Sequence, residues 1–468
     1  MQLSIVIQLS IALLAGELAG RLPLDVWAGV LALLAAPGIV IVVGSWLSRR
    51  AMRAMDRMEQ GAADRLYAFA ERARWIATAC ILLAATSELP IVLDGAFGMP
   101  GVVGALFGTG IAASLAVSWI LWPIERRARE SSFMRALDAG TGIAPVPSRT
   151  AYVLAQARTG LLPLVVPLVV PLLLGELAAQ MGARREGADP ESWRLGGMIA
   201  GAALIFLLVP VIVPPMLGLR RLAPGALRED LESLATDARV GISEIWVWPT
   251  QGLVANAAVM GLFPRLRCVM LSDALLECMP REQVRAVMAH ELGHVARRHL
   301  PWLVLVVLAC WAAAAAVAEP LARAAFERLA LQAADDEIER LAHWVALARE
   351  IAMIVAALAA FGWISRRFER QADTYAVQLL SARAGRTDAS PEAVDAMVGA
   401  LGSIAFLNHV PKERSSWRHG SIRWRQDYLR ALAGRPHGAL AIDRIVRALC
   451  WIALLVVVLS AFYPRSVG

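Results

Sequence analysis

The sequence predicts a mainly α protein: a bundle of several membrane-spanning helices that carries a small β-sheet and a metal site. Three observations predict it. The 468 residues are 58% hydrophobic, with a mean hydropathy of +0.56, too apolar for an ordinary water-soluble domain. The apolar residues fall in runs near the ~20 residues that a bilayer crossing needs. One polar stretch, MPREQVRAVMAHELGHVARRHL (279–300), sets His290, Glu291 and His294 in the order His-Glu-Leu-Gly-His.

The net charge is +7, and Lys412 is the only lysine. The arginines cluster beside apolar runs, so they read as charges that set membrane topology and not as a nucleic-acid surface. The expected partners are the lipid bilayer and protein or peptide substrates, with no nucleic acid. Five cysteines (Cys80, Cys268, Cys278, Cys310, Cys450) are scattered without CxxC spacing. They suggest neither a disulfide framework nor a thiol enzyme.

Residues 1–217 are expected to hold about six spans, at 3–19, 27–47, 75–94, 101–123, 160–179 and 197–217. The first run lacks a charged leader and a clear cleavage site, so it reads as a retained helix. Prolines in LLPLVVPLVVPLLL (161–174) and LVPVIVPP (208–215) should kink their helices, which membranes tolerate where neighbours satisfy the freed carbonyls. A polar region, 218–300, follows. Two more spans, 301–318 and 344–364, bracket an outside loop at 319–343, and a second polar region covers 365–445. The C-terminal part, 446–468, opens with a span at 446–463.

Arginine-rich loops follow the second and fourth spans, whereas SELPIVLDGAFGMPG between the third and fourth has no positive residue. By the positive-inside rule the two rich loops are cytoplasmic. Alternation then puts 218–300 and 365–445 inside and the C-terminus outside. Arg184, Arg185 and Arg194 run against this order. Arginine-heavy usage suggests a GC-rich bacterial genome. The expected location is a bacterial cytoplasmic (inner) membrane, with the active site on the cytoplasmic side.

In 218–300, a helical lead-in precedes two β-branched, aromatic runs at 242–250 and 265–272, which read as strands. Asp273 is expected to cap a short helix, ALLEC. Pro280 then opens the helix that carries His290 and His294. Residues four apart share a helix face, so both imidazoles reach one ion about 2.0–2.1 Å from each nitrogen. Glu291 lies beside them, placed to take a proton from a zinc-activated water. After the next two spans, SRRFERQADTYAVQLL (365–380) sets Glu369 and Asp373 four apart. Glu369 would complete a three-ligand zinc site with one open position. Asp373 would hydrogen-bond a liganding imidazole and fix its tautomer. His299 reads as structural, and His343, His409 and His437 have no partner pattern.

Four stretches then carry a resemblance. They are Asn256-Ala257 with Gly261, His290-Glu291-x-x-His294, Ser365-Arg366 leading to Glu369-x-x-x-Asp373, and His419-x-Ser421 with Arg425. Over about 218–430 the chain resembles the integral-membrane zinc metallopeptidases of the type-1 CAAX prenyl protease group, whose relatives include the HtpX-like proteases. Gly420 stands where that family usually has proline. The resemblance implies a gluzincin-type metallopeptidase domain surrounded by membrane helices, with one zinc ion per chain. It implies that Asn256 and Ala257 line an edge strand for an extended substrate, and that His419 and Arg425 donate to the tetrahedral oxyanion or the substrate carbonyl. The function expected is a membrane-embedded zinc endopeptidase with Glu291 as general base. Alternatives are a CAAX-type C-terminal processing protease and a non-proteolytic zinc-binding scaffold or transporter. The latter would have no need of Glu291, which is not a metal ligand.

Overall fold

The apolar runs form helices, the element that satisfies its own backbone hydrogen bonds where water is scarce. The computed structural model describes residues 2–57, 59, 64–138, 148–185, 187, 189–250, 254–331, 335–408 and 410–462. Its contacts divide into two compact units, Met1–Phe206 and Leu207–Gly468.

The first unit holds α1 (Gln2–Leu13), α2 (Ala15–Leu18), α3 (Val26–Asp56), α4 (Asp64–Thr86), α5 (Leu89–Asp138), α6 (Arg149–Gln156), α7 (Leu162–Ala183) and most of α8 (Pro190–Leu217). Helices α3, α4 and α5 bury Val40, Ala77 and Ile120 against one another. Small residues permit the close approach: a Cβ on Gly44 would lie 2.3 Å from Ile120.

Two expected spans take another form. The 3–19 run breaks at Leu14 between α1 and α2. The 75–94 run breaks at Ser87, because Pro90 has no N–H for a continuing helix and the Ser87 hydroxyl instead accepts from the Leu89 N–H at 3.2 Å. The expected loop after it is helical, reduced to a kink where Gly98 adopts φ +67° within α5. The 446–463 run forms α16 (Ala441–Phe462), and residue 463 lies outside the described residues. Helix α7 continues through Pro167 and Pro171, with a five-residue π-turn, Ala157–Leu161, ahead of it. Among the described residues, six helices are long and apolar enough to cross a membrane: Val26–Asp56, Leu89–Arg127, Val165–Ala183, Pro190–Leu217, His299–Ala330 and Arg340–Arg383.

The second unit starts inside α8 and adds β1 (Arg220–Arg221), α9 (Ala226–Asp237), β2 (Glu244–Trp248), β3 (Ala257–Met260), β4 (Cys268–Ser272), α10 (Asp273–Cys278) and α11 (Arg281–Ala296). Then come α12 (His299–Ala330), α13 (Asp335–Arg383), α14 (Pro391–Leu407), α15 (Ile422–Arg430) and α16. The sheet order is β1-β2-β4-β3; β2 and β4 are parallel, and the outer pairs are antiparallel. Alternation along β4 sends Val269 and Leu271 into the main core with Leu231, Leu275 and Leu292. Cys268 and Met270 face the other way, onto Val209, Val213 and Leu217 at the end of α8. The cap of α10 is Ser272 and not Asp273: its side chain accepts from the Leu275 N–H at 3.3 Å. The expected loop 319–343 is mostly helix, since α12 runs to Ala330 and α13 starts at Asp335.

Helix α11 lies against α13 at Gly293, where a Cβ would meet Tyr375 at 3.1 Å and the Ala372 carbonyl at 3.2 Å. This contact brings the His-Glu-Leu-Gly-His turn to the helix that bears Glu369. Gly293→Val should therefore force the helices apart, at the ~1–3 kcal/mol that overpacking costs. The apparent thermal midpoint of the detergent-solubilised protein should fall, and an unchanged midpoint would contradict the tight contact.

Candidate metal centre

Helix α11 projects His290 and His294 to one side, one turn apart. Their Nε2 atoms face each other at 3.2 Å. For a tetrahedral ion about 2.05 Å from each nitrogen, that edge is roughly 3.3 Å. From α13 the Glu369 carboxylate comes within 3.7 Å of His290 Nε2 and 3.8 Å of His294 Nε2. Among the described residues these three side chains converge as a group able to hold a metal ion.

Each remaining group engages the cluster in its own way. Asp373, fully buried, places Oδ1 2.9 Å from His290 Nδ1. That contact puts the proton on Nδ1, leaves the Nε2 lone pair free, and makes the imidazole a better donor to a cation. Arg425, on α15, sends Nε to Asp373 Oδ2 at 2.8 Å and Nη2 to Asp373 Oδ1 at 2.6 Å. Its Nη1 lies 3.2 Å from Glu369 Oε2. These contacts make Arg425 the buried counter-charge of two carboxylates. His419 sits half-exposed at the rim, its Nδ1 3.0 Å from Glu369 Oε1. Glu291 points back to the sheet, where its Oε2 accepts from the Val259 N–H at 3.2 Å.

The electrostatics suit a cation. Glu291, Glu369 and Asp373 are faced by one guanidinium, Arg425. Burial, opposed by His290, pushes the Glu291 carboxyl above the usual glutamate range. Burial pulls His294 well below the usual imidazole range, and His290 adds to that shift, so His294 is neutral as a ligand must be. For His290, burial acts downward but the hydrogen bond and charge of Asp373 outweigh it and raise the pKa. Burial also acts downward on Arg425, and Asp373 and Glu369 more than reverse it.

A cavity of about 930 Å³ opens over the cluster, lined by Asn256, Ala257 and Val259 on one side and Met397, Leu401 and His419 on others. Strand β3 forms the sheet edge. The N–H groups of Ala257 and Val259 donate to the Asn256 and Glu291 side chains, so that edge faces the cleft. Asn408 grips the approach to it, bonding both the N–H and the carbonyl of Ala255 at 3.0 and 2.8 Å.

Residues 224–430 match the model for Peptidase family M48. The matched region is similar to the M48 family of metallopeptidases. Among curated relatives, "Protease HtpX homolog" of Polaromonas naphthalenivorans is 28% identical over 199 residues, 40% of this chain and 67% of its own. "Protease HtpX" of Pseudomonas putida strain GB-1 is 29% identical over 190 residues, 40% of this chain and 57% of its own. "Protease HtpX" of Chromohalobacter salexigens is 38% identical over 80 residues, 17% of this chain and 26% of its own. The chain thus spans between about a quarter and two thirds of the length of these relatives. The crystal structure of S. mikatae Ste24p superposes with a TM-score of 0.46 at 18% identity, over 85% of this chain and 99% of that one.

Within the M48 region the structure brings together His290, Glu291, His294, Glu369, Asp373, His419 and Arg425, and sets Asn256 and Ala257 along the same cavity. One neighbour was not anticipated. The Nδ1 of His299 lies 2.8 Å from His294 Nδ1. Its signal in the sequence is a histidine five residues past the second ligand and three past the end of α11.

Two results are expected. Glu369→Ala should lose metal by more than the roughly 10–100-fold that orienting partners cost, as read by zinc content after dialysis; full occupancy would contradict Glu369 as a ligand. Arg425→Leu leaves Asp373 and Glu369 without their buried counter-charge, a loss of about 3–5 kcal/mol. The metal-free protein should accordingly unfold at a lower temperature.

Proposed function

We propose that this chain is a membrane-embedded zinc endopeptidase that hydrolyses peptide bonds of membrane-associated proteins or peptides. The observation that carries the reading is the convergence of two imidazole Nε2 atoms 3.2 Å apart on the Glu369 carboxylate, with Glu291 alongside. His290, His294 and Glu369 would hold the zinc, which when bound supplies Lewis acidity to the attacking water and the scissile carbonyl.

The chain's own residues do the rest. Glu291 accepts the proton of the attacking water and delivers it to the leaving amine. Burial, which raises its pKa, suits it to hand that proton on. An extended substrate adds to the cleft edge of β3, using main-chain groups of Ala257 and Val259, with Asn256 at the rim. In the absence of substrate the Val259 N–H holds Glu291 in place. His419, half-exposed beside Glu369, is the donor available to the developing oxyanion. Arg425 orients Asp373 and Glu369.

The six apolar helices support a multi-pass membrane setting. The arginine distribution supports a bacterial cytoplasmic membrane with the site on the cytoplasmic side.

Glu291→Gln should bind zinc normally and lose about 10²–10⁴-fold in hydrolysis of a quenched peptide. Near-normal turnover would remove Glu291 from the base role. In the wild type, the acid limb of kcat/KM should lie above the ordinary glutamate range. The base works only when ionised, and burial delays that ionisation to higher pH.

A further inference from the structure

Helix α11 ends at Ala296, and Arg298 adopts a left-handed φ of +54° before α12 begins. An arginine in that region costs energy that the surroundings must offset. The turn swings His299 back onto the cluster. His299 is 4% exposed and stacks on Phe368. Its Nδ1 lies 2.8 Å from His294 Nδ1, and its Nε2 lies 2.9 Å from Gln371 Oε1. The Gln371 amide in turn donates to Asp443 Oδ1 at 2.6 Å, and Arg297 lies 3.2 Å from Asp443 Oδ2.

We infer that His299, Gln371 and Asp443 form a one-way hydrogen-bond chain that fixes the proton of His294 on Nδ1 and so presents its Nε2 lone pair to the metal. The direction follows from donor and acceptor capacity alone. An ionised carboxylate only accepts, so Gln371 must turn its NH₂ to Asp443 and its oxygen to His299. The His299 Nε2 must then donate. A buried His299 that touches no carboxylate is neutral, which leaves its Nδ1 as an acceptor. His294 must supply that proton from Nδ1. The polarity of a ligand on α11 is thereby set from the first turn of α16. His299, Gln371 and Asp443 act through His294 and are positioning residues.

The inference rests on the proposed metal site, and the test separates the two. The full chain, purified in detergent and stripped with a chelator, is titrated with Zn(II) against a chromophoric competitor; Co(II) spectra report the ligand field. In Asp443→Asn, Arg297 can only donate and claims the one carbonyl oxygen, leaving NH₂ toward Gln371. The chain then reverses and places the His294 proton on Nε2. Zn(II) affinity should fall by about 10–100-fold, with altered Co(II) bands and an unchanged unfolding midpoint of the metal-free protein. His299→Phe, which keeps the stacking, should lose as much, and His299→Gln, which restores an acceptor and a donor, should recover most of it. Wild type that takes up no Zn(II) would refute the metal site itself. Wild type that binds while Asp443→Asn binds within twofold would overturn the chain and leave the metal site standing.

Discussion

The second unit depends on one electrostatic constraint: an excess of acid gathered in a closed space. Glu369 and Asp373 lie one turn apart on α13, both buried, with Glu291 beside them. Such carboxylates would normally protonate or stay in water. Arg425 pairs with two of them from α15, bidentate on Asp373 and reaching Glu369. Three carboxylates against one guanidinium still leave a deficit of positive charge, and a divalent cation between His290 and His294 is the group that would balance it.

The constraint also explains why α11 and α13 meet at Gly293. A side chain there would hold Glu369 away from the imidazoles. The sheet has a parallel part in the assembly. Its edge strand β3 passes over α11 close enough for a main-chain N–H to bond the Glu291 carboxylate. The edge that would receive a substrate and the base that would act on it are therefore registered to each other.

The helix-borne parts of the site were legible because they are local. Four-residue spacing puts His290 and His294, and separately Glu369 and Asp373, on single faces whatever the tertiary fold. Strands β2 and β4 were readable from β-branched and aromatic runs. What was not readable depends on closure in three dimensions. The bidentate grip of Arg425 on Asp373 spans separate elements, and so does the approach of His299 to His294. The apolar run through residue 94 hides its break, because Ser87 and Pro90 act through backbone hydrogen bonding that hydropathy does not register. Likewise, mixed charge at 319–343 resembles a loop, yet an exposed helix tolerates the same composition.

The two imidazoles are oriented by different means, and the difference has a physical sense. His290 is held by a carboxylate directly, which strengthens its nitrogen as a donor and brings negative charge next to the ion. A second carboxylate in direct contact with His294 would add to the acid excess around Arg425. An imidazole and an amide can orient His294 just as firmly while carrying no charge, and they move the carboxylate that sets their direction out to Asp443, beside Arg297. The neutral link solves a charge problem, and in doing so it ties the ligand geometry on α11 to the start of the last apolar helix.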